Sequence, residues 1–300
     1  MILKVLRRLL VFFAIFWVTL AIATSSPANL AICNGYIGPP APPKVILENK
    51  APLLACESAY LFDNASKIKL YGKDEYDVRP IASITKLLTA LTFLKFNVKW
   101  DKTVEMTMED VENSSRSVLR AGHTYRVDDL FHASLMGSDN RATRALARST
   151  GVSMDSFVVC MNKTADDLGL MTLSVEEPTG LSEQNVASAA DVARLMNAAA
   201  NNKNIGSVLQ MKSYSFSSVN RKRQYTFGNT NRLLSGRWDV EGGKTGYIDE
   251  SGWCFVARVN DRHGHDLTAV VLGANSNTQR FRQTQKLFDW AFGQLDSRKY

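Results

Sequence analysis

Strand patterns lie near both ends of this chain of 300 residues, and helical patterns fill the stretch between them. Residues 58–62 and 67–71 flank a polar turn and partly alternate between apolar and polar side chains, which predicts a β-hairpin. Strand patterns return late in the chain, at 225–228, 241–247, 253–259 and 267–272. We therefore predict an α+β fold, in which the two ends form one antiparallel sheet of about five strands, covered by helices, with a helical lobe inserted in the middle.

Apolar residues recur at intervals of three and four in several segments, which is the spacing of one face of an α-helix. In the segment 81–94, one face collects five such side chains: Ile84, Leu87, Leu88, Leu91 and Leu94. Further helices are predicted at 127–136, 141–148, 157–168, 188–199 and 279–292. The helix at 188–199 is expected to begin with a capping box formed by Ser188 and Asp191.

Ser83 and Lys86 lie three residues apart near the start of the 81–94 helix, so their side chains share one side of it. A serine hydroxyl is a poor nucleophile until a base takes its proton. A lysine amine acts as that base only if burial and neighbouring cations lower its pKa. The alternative is a helix cap followed by a solvated lysine. A second match, Ser66 and Lys69 in the predicted hairpin, shows that this spacing alone is weakly specific.

Two further short motifs follow along the chain. The Ser-Asp-Asn triplet at 138–140 lies in a turn between two predicted helices, where a small polar residue is equally typical of a helix cap. The Lys-Thr-Gly triplet at 244–246 lies in a predicted strand and occurs only once in the sequence. It is not a phosphate-binding loop, because such a loop needs a glycine five residues before Gly243, where the chain has Trp238.

Ser-x-x-Lys, Ser-x-Asn and Lys-Thr-Gly in this order resemble the signature of the penicillin-recognising serine acyltransferases, which include β-lactamases and penicillin-binding proteins. The resemblance is closest to the D-alanyl-D-alanine endopeptidase and carboxypeptidase family of low-molecular-mass penicillin-binding proteins, and it extends over about residues 55–295. Beyond the three motifs it is carried by the segments 80–91, 177–182, 229–233 and 244–252. The chain departs from the family at Gly243, where relatives often carry serine, and we expect this change to be tolerated.

This resemblance implies a β-lactamase/transpeptidase-like fold and a catalytic site that needs no metal and no cofactor. Ser83 would be the nucleophile, Lys86 its base, and Ser138 a relay that passes a proton to the leaving nitrogen. The main-chain N–H groups of Ser83 and Tyr247 would hold the oxyanion. The residues that would bind the substrate, including its free carboxylate, are Asn140, Lys244, Thr245, Gly246, Tyr247 and Arg280.

The reaction implied by the resemblance is hydrolysis of peptidoglycan stem peptides through an acyl-enzyme, with β-lactam antibiotics as covalent inhibitors. We expect an endopeptidase that cuts D-Ala–diaminopimelate cross-links in cell-wall remodelling. A D-alanyl-D-alanine carboxypeptidase is the alternative, because both scissile amides carry a free carboxylate beside the nitrogen. A class A β-lactamase would need a glutamate with an asparagine four residues later, whereas Glu176 and Glu177 are followed at that distance by Gly180 and Leu181. A non-catalytic wall-binding protein is disfavoured because all three motifs are intact.

The first residues have the pattern of an export signal: a basic start, an uninterrupted apolar run from Leu9 to Ala23, and then small residues. We therefore assign residues 1–25 to a signal peptide, 26–54 to a Pro/Ala-rich linker and 55–300 to the peptidase domain. The expected compartment is the periplasm. A leader that stayed uncleaved would be the only contact with the membrane.

The formal net charge is +7, and 33 basic against 29 acidic side chains leave +4 once residues 1–32 are removed. This surplus suits an anionic polymer, whereas the lack of a basic block interleaved with aromatic residues argues against a nucleic acid as partner. No spacing of histidines and cysteines predicts a metal site. The cysteines Cys33, Cys56, Cys160 and Cys254 have a spacing that assigns no disulfide pairs, and the last two are predicted to be buried apolar side chains.

Overall fold

The computed structural model describes residues 50–112, 114, 117–261 and 264–296, so the predicted signal peptide and most of the predicted linker lie outside it. Its strands are β1 (Ser58–Asp63), β2 (Ile68–Lys73), β3 (Arg79–Pro80), β4 (Thr103–Glu105), β5 (Thr124–Arg126), β6 (Val186–Ala187), β7 (Ser213–Ser217), β8 (Gln224–Gly228), β9 (Asp239–Ile248), β10 (Gly252–Asn260) and β11 (Asp266–Ala274). Its α-helices are α1 (Thr85–Leu94), α2 (Met108–Glu112), α3 (Val127–Met136), α4 (Asn140–Arg148), α5 (Met154–Asp167), α6 (Ala189–Asn201), α7 (Lys203–Gln210) and α8 (Asn277–Asp296). No helix within these ranges is long and apolar enough to cross a membrane.

Five strands form one antiparallel sheet in the order β2-β1-β11-β10-β9. The first strand of the chain, β1, pairs with the last, β11, so that Ser58 lies opposite Leu272 and Asp63 opposite Leu267. The sheet therefore joins the two ends of the domain, which confirms the predicted α+β architecture. Strand β9 lies at the edge of this sheet and pairs only with β10 among the described strands.

Both faces of the sheet are covered, because alternate residues of its central strands enter two separate apolar cores. Cys254 and Val256 of β10 pack against the helices of the lobe. Phe255 and Ala257 of the same strand pack in the core that contains α8. The sheet thus lies between the lobe, through α6, and the closing helix α8.

The helical lobe contains short strand pairs that the sequence patterns did not predict. Strand β4 pairs with β5, and β3 pairs with β6. The strand predicted at 225–228 is β8, but it pairs with β7 in a separate two-stranded sheet and does not join the main sheet. Alternation of side chains identifies a strand, whereas its partner is chosen by contacts between distant parts of the chain.

Two local predictions, about the start of α6 and about the burial of cysteines, were only partly correct. The capping box at the start of α6 is incomplete: Ser188 Oγ accepts a hydrogen bond from the N–H of Asp191, but the Asp191 carboxylate accepts from Thr172. Cys160 is only half-buried on α5, because its side chain lies at the border of the apolar face, whereas Cys254 is buried as expected. The described cysteines are free thiols.

Residues at the end of the predicted linker contact the folded domain. Leu54 is buried in the core that contains α8. The Tyr71 hydroxyl donates a hydrogen bond to the carbonyl of Pro52 at 3.2 Å, and the Ala55 N–H donates to Gln283 at 3.2 Å. The folded part of the chain therefore includes Pro52.

Candidate active site

Ser83 lies in a turn that is tighter than the α-helix it precedes. Residues Ala82–Ile84 form a 3₁₀ turn, and α1 follows directly. The sequence pattern predicted one continuous helix from residue 81. The difference arises because Ala82 adopts a left-handed backbone conformation (φ +46°), which a right-handed helix excludes. The turn holds Ser83 Oγ 2.8 Å from Nζ of Lys86.

Lys86 is fully buried and makes three hydrogen bonds through its amine. Besides Ser83, its Nζ donates to Asn140 Oδ1 at 2.6 Å and to the carbonyl oxygen of Thr179 at 2.5 Å. These two oxygens only accept hydrogen bonds, so both need an N–H from the amine. A neutral amine that keeps both of these bonds uses its two N–H groups on them, and its lone pair then faces Ser83, which is the orientation of a base that takes the serine proton.

Burial is the main cause that lowers the pKa of Lys86, from 10.5 to about 7. The carboxylates of Glu177 and Asp139 offset part of that fall. We expected neighbouring cations to lower the pKa of Lys86 as well, but among the described residues only burial lowers it. A large fraction of this amine is neutral near pH 7, so the group is able to accept a proton.

A second pair of hydroxyl and amine joins Ser138 to Lys244. Ser138 lies in the turn between α3 and α4 with a φ of +57°, which is strained for a residue other than glycine. It accepts a hydrogen bond from Lys244 Nζ at 2.7 Å. Burial, followed by the positive charges of Lys86 and Arg280, holds the pKa of Lys244 well below its usual value. A carboxylate that entered here would relieve this repulsion, so the arrangement suits an anionic ligand.

The edge strand β9 passes directly beside the turn that carries Ser83. A Cβ at Gly246 would lie 2.7 Å from the carbonyl oxygen of Ile81 and 3.3 Å from the nitrogen of Ser83, so the approach requires glycine. At Gly243, a Cβ would lie 2.5 Å from Asn231 Nδ2. The serine of relatives would fit at this position only if the Asn231 amide moved.

Lys244 and Thr245 lie on opposite faces of β9. Lys244 is paired with Val256 of the lobe-facing core, and Thr245 with Phe255 of the core that contains α8. The Thr245 hydroxyl donates to Thr230 Oγ1 at 2.8 Å, which ties β9 to the segment that follows β8.

Arg280, near the start of α8, is only 7 % exposed. Its Nη1 donates to the carbonyl of Gly246 at 2.9 Å and to that of Cys254 at 3.4 Å. The guanidinium also lies 4.9 Å from the ring centre of Trp253, which stacks on the 44 % exposed Tyr247. Burial lowers the pKa of Arg280 to about 10. These contacts join Arg280 to the backbones of β9 and β10, and its role in holding a carboxylate stays a prediction.

The carbonyl of Thr179 is a part of the site that the sequence motifs did not predict. It accepts hydrogen bonds from Lys86 and, at 3.4 Å, from the Ser83 hydroxyl. Glu177 fixes its position, because the Glu177 carboxylate accepts from the main-chain N–H groups of the next turn: Thr179, Gly180 and Leu181. The segment 177–182 does carry part of the family resemblance, but a main-chain contact leaves no mark in side-chain type.

Replacing Gly180 with alanine is expected to slow acylation by penicillin about a hundredfold, the cost of small misplacements near reacting groups. Gly180 has a φ of +85°, and a Cβ there would overlap the carbonyl oxygen of Ala82 in the turn that carries Ser83. The measurement is the second-order rate of labelling by a fluorescent penicillin. Gly169→Ala is the matched control, since Gly169 also has a positive φ (+68°) but no atom within 4 Å of its Cβ position. Equal rates in the two variants would contradict this role of the close contact.

The site combines a hydroxyl facing a buried amine, a second hydroxyl with its own amine, and a strand edge that is unpaired among the described strands. Such a set suits transfer of an acyl group to Ser83, because it provides nucleophile, base and a strand along which a peptide could lie. Within the described residues, no group of three or more histidine, cysteine, aspartate or glutamate side chains is placed to hold a metal ion.

Comparison with known proteins finds similarity to D-alanyl-D-alanine endopeptidases and to a DD-transpeptidase. The chain is 31% identical to a D-alanyl-D-alanine endopeptidase of Pseudomonas aeruginosa, over 87% of this chain and 84% of that protein. It is 30% identical to one of Escherichia coli, over 80% of this chain and 78% of that protein. Among solved structures it is similar to the Streptomyces K15 DD-transpeptidase, with a TM-score of 0.77 and 26% identity, over 82% of this chain and all (100%) of that one.

A family model described as D-alanyl-D-alanine carboxypeptidase, peptidase S11, matches residues 46–276. The match spans most of the chain and includes Ser83, Lys86, the triplet 138–140 and the triplet 244–246. It ends before Arg280, which leaves that residue outside the matched range. The fold, the length of the match and the relatives agree, and the chain belongs to the D-alanyl-D-alanine carboxypeptidase family, peptidase S11.

Proposed function

We propose that the protein is a serine-type D-alanyl-D-alanine endopeptidase that cleaves D-Ala–diaminopimelate cross-links in peptidoglycan. The observation that carries this proposal is the 2.8 Å contact between Ser83 Oγ and a buried Lys86 amine whose pKa is lowered to about 7. Endopeptidase activity is favoured by relatives of that name at 30% and 31% identity. Carboxypeptidase activity is the second candidate, favoured by the description of the matched family.

In the proposed first half of the reaction, Ser83 Oγ attacks the carbonyl carbon of the D-alanyl amide while Lys86 takes the hydroxyl proton. The main-chain N–H groups of Ser83 and Tyr247 would stabilise the oxyanion that forms. The C–N bond then breaks, and Ser138 relays the proton gained by Lys86 to the leaving nitrogen. This role of Ser138 is supported by its hydrogen bond to Lys244, which fixes its hydroxyl within the cluster of amines.

In the proposed second half, water attacks the acyl carbon of the ester on Ser83. Lys86, neutral again, takes a proton from this water, and the Ser83 oxygen leaves and recovers that proton. The products are the peptide acid and the free enzyme. The whole reaction therefore uses the Lys86 amine as a base twice, once in acylation and once in release of the product.

The substrate peptide is proposed to lie antiparallel along β9 as an added strand, next to Gly246. Lys244 and Thr245, with Arg280 behind the strand, would hold the carboxylate beside the scissile bond. Asn140 would bind a substrate amide from its position next to Lys86. An edge strand with a single neighbour and a buried cation of lowered pKa supports this placement.

We also propose that the protein acts in the periplasm after export, and that β-lactams acylate Ser83. The export part rests on the basic, apolar and small residues of the predicted signal peptide, which lies outside the described residues. The β-lactam part follows from the same chemistry, because a β-lactam presents a reactive amide with a carboxylate near its nitrogen.

The test of this function is incubation of the protein lacking residues 1–25 with purified cross-linked muropeptide dimers and with monomeric pentapeptides. Mass spectrometry is expected to detect monomers released from the dimers. Loss of only a terminal alanine from pentapeptides would establish the carboxypeptidase. Rapid turnover of a chromogenic cephalosporin, with no cleavage of either peptide, would contradict both and indicate a β-lactamase.

The rate of acylation is expected to depend on pH through Lys86. Because the pKa of Lys86 is lowered to about 7, its amine is protonated and inactive as a base below that pH. The second-order rate should therefore fall about tenfold per unit below pH 7 and level off above it. This profile is measured by labelling with a fluorescent penicillin between pH 5 and 9, a range of about two pH units to either side of the lowered pKa of Lys86. A rate that stayed constant from pH 5 to 7 would contradict a base with this pKa.

A further inference from the structure

A separate charged surface lies at the tip of the hairpin formed by β7 and β8. Arg221, Lys222 and Arg223 occupy the turn between the two strands, and Arg120 belongs to the neighbouring segment before β5. All four side chains are exposed. Among the described residues, none of their cationic groups has a carboxylate within 4.0 Å. We call these four residues the basic tip.

The backbone that carries the basic tip is fixed by hydrogen bonds. Asn220 Oδ1 accepts from the N–H of Thr124 at 3.0 Å, and Asn220 Nδ2 donates to the carbonyl of Gly122 at 2.9 Å. The turn is closed by Ser218, whose Oγ accepts from the N–H of Arg223 at 3.1 Å. The charges are therefore presented on a preorganised surface, which lowers the entropy lost on binding.

The positive charges of the basic tip act on a neighbouring histidine, His123. His123 belongs to the same segment as Arg120, and its Nδ1 lies 3.1 Å from the Tyr225 hydroxyl of β8. Its pKa is lowered by burial and then by Arg221, Arg120 and Arg223. Like charges held together without carboxylate partners repel one another and favour an anionic ligand. The aromatic rings of β8 are not exposed on this surface, because Tyr225 and Phe227 are buried and the Arg223 guanidinium lies 5.7 Å from the centre of the Tyr225 ring. The basic tip therefore lacks the exposed rings on which the bases of single-stranded nucleic acids stack.

The other end of this hairpin lies at the candidate active site. Thr230, two residues after β8, bonds to Thr245 Oγ1 at 2.8 Å and donates its N–H to the carbonyl of Met136 at 3.0 Å. Thr230 lies seven positions after Arg223, which at about 3.3 Å per residue gives a distance of roughly 23 Å. A polymer bound at β9 could therefore reach the basic tip at the same time.

We propose that the basic tip binds free carboxylates on stem peptides of the same peptidoglycan polymer that occupies the active site. This proposal rests on the proposed function, which makes peptidoglycan the substrate. Each strand of that polymer carries many stem peptides with free carboxylates, so a neighbouring stem is an anionic ligand at fixed reach. Binding at two places raises the local concentration of scissile bonds at Ser83 without any new contact in the site.

The test compares two variants that lose the same charge, each in a Ser83→Ala background so that binding proceeds without cleavage. The first carries Arg221→Gln, Lys222→Asn and Arg223→Gln, with asparagine chosen because Lys222 has a φ of +51°. The control carries Lys99→Gln, Lys203→Gln and Lys286→Gln, three exposed lysines elsewhere on the surface. Affinity for purified insoluble peptidoglycan is measured by sedimentation at low salt and at about 0.5 M salt, where charges are screened.

We expect the tip variant to bind about tenfold more weakly at low salt and to lose most of its salt dependence, whereas the control binds as the parent does. Amidation of the peptidoglycan carboxylates should weaken the parent more than the tip variant and abolish the difference between them. Equal affinity of tip variant and control, or no effect of amidation, would overturn the proposal. Binding of both variants to vesicles of phosphatidylglycerol is measured in parallel. If the tip variant lost binding to the vesicles but not to peptidoglycan, the proposal would be overturned and the tip would be a lipid-binding surface.

Cleavage of soluble muropeptide dimers separates this proposal from the function on which it rests. With Ser83 intact, the tip variant should cleave a soluble dimer at the parental rate, because a dimer lacks the neighbouring stem peptides of a longer strand. Digestion of insoluble peptidoglycan should slow in the tip variant alone. Failure of the parent to cleave dimers would count against the proposed function, while the sedimentation result would still decide the role of the tip.

Discussion

Replacing Ser83 with alanine is expected to abolish covalent labelling by penicillin and to lower peptide turnover by about a millionfold, as in other serine hydrolases that lose their nucleophile. The reason is that Ser83 Oγ is the proposed site of the acyl bond. The fold should survive, because Ser83 is only partly buried and its hydroxyl bonds to Lys86 and the Thr179 carbonyl. Labelling with a fluorescent penicillin, together with circular dichroism, measures both effects.

The matched control for Ser83→Ala is Ser66→Ala. Ser66 belongs to the other Ser-x-x-Lys match, in the turn between β1 and β2, and its hydroxyl donates to Asp63 at 2.6 Å. This variant should be labelled at the parental rate. Labelling of a folded Ser83→Ala protein would remove Ser83 as the nucleophile.

Exchanging Lys86 for arginine is expected to reduce the rate of acylation by about 10²- to 10⁴-fold, the usual contribution of a general base. A guanidinium keeps its proton at any pH at which the protein is folded, so it cannot take one from Ser83. Lys86→Met should show a similar loss, since it removes the amine while roughly keeping the length of the side chain. The methionine variant also removes the buried hydrogen bonds from Lys86 to Asn140 and to the Thr179 carbonyl, at a cost of about 1–3 kcal/mol each in stability.

Lys95→Arg controls for the exchange itself. Lys95 follows the last residue of α1 and pairs with Asp167 at 3.0 Å on the surface. Acylation should be unchanged in this variant, and thermal unfolding should confirm that all three proteins are folded. If Lys86→Arg were acylated within a few-fold of the parental rate, the base would have to be another group.

The main sheet could be predicted because the burial of its strands requires runs of apolar residues that are visible in the local sequence. In β10, Val256 and Ala257 pack into cores on opposite sides of the sheet, and such two-sided burial requires a run of apolar residues. The pairing of β8 with β7 could not be predicted in this way. It depends on contacts across the lobe, such as the hydrogen bond between the Tyr125 and Tyr225 hydroxyls at 3.0 Å.

The two Ser-x-x-Lys matches show where spacing stops being informative. Lys69 is about half exposed and pairs with Glu75 at 2.6 Å, whereas Lys86 is fully buried among Asn140 and Thr179. Burial lowers the pKa of Lys86 and hence makes it a candidate base. That burial comes from segments 54 and 93 residues away along the chain, so no local pattern records it.

The contacts of Arg280 and Glu177 were beyond prediction for a related reason. Arg280 donates to the carbonyl of Gly246, and Glu177 accepts from a row of main-chain N–H groups. Main-chain partners are the same for every residue type, so the sequence at the partner position carries no signal. Such hydrogen bonds to main-chain groups can be identified only when the path of the backbone is known.

The most direct test of Ser83 as the acylated residue is to locate the adduct that penicillin leaves on the parent protein. After brief exposure to penicillin, the protein is digested with trypsin and the peptides are sequenced by tandem mass spectrometry. We predict one adduct, on Ser83 in the peptide that ends at Lys86, with Ser66 and Ser138 unmodified. An adduct on any other residue, with Ser83 unmodified, would contradict the mechanism proposed for this protein.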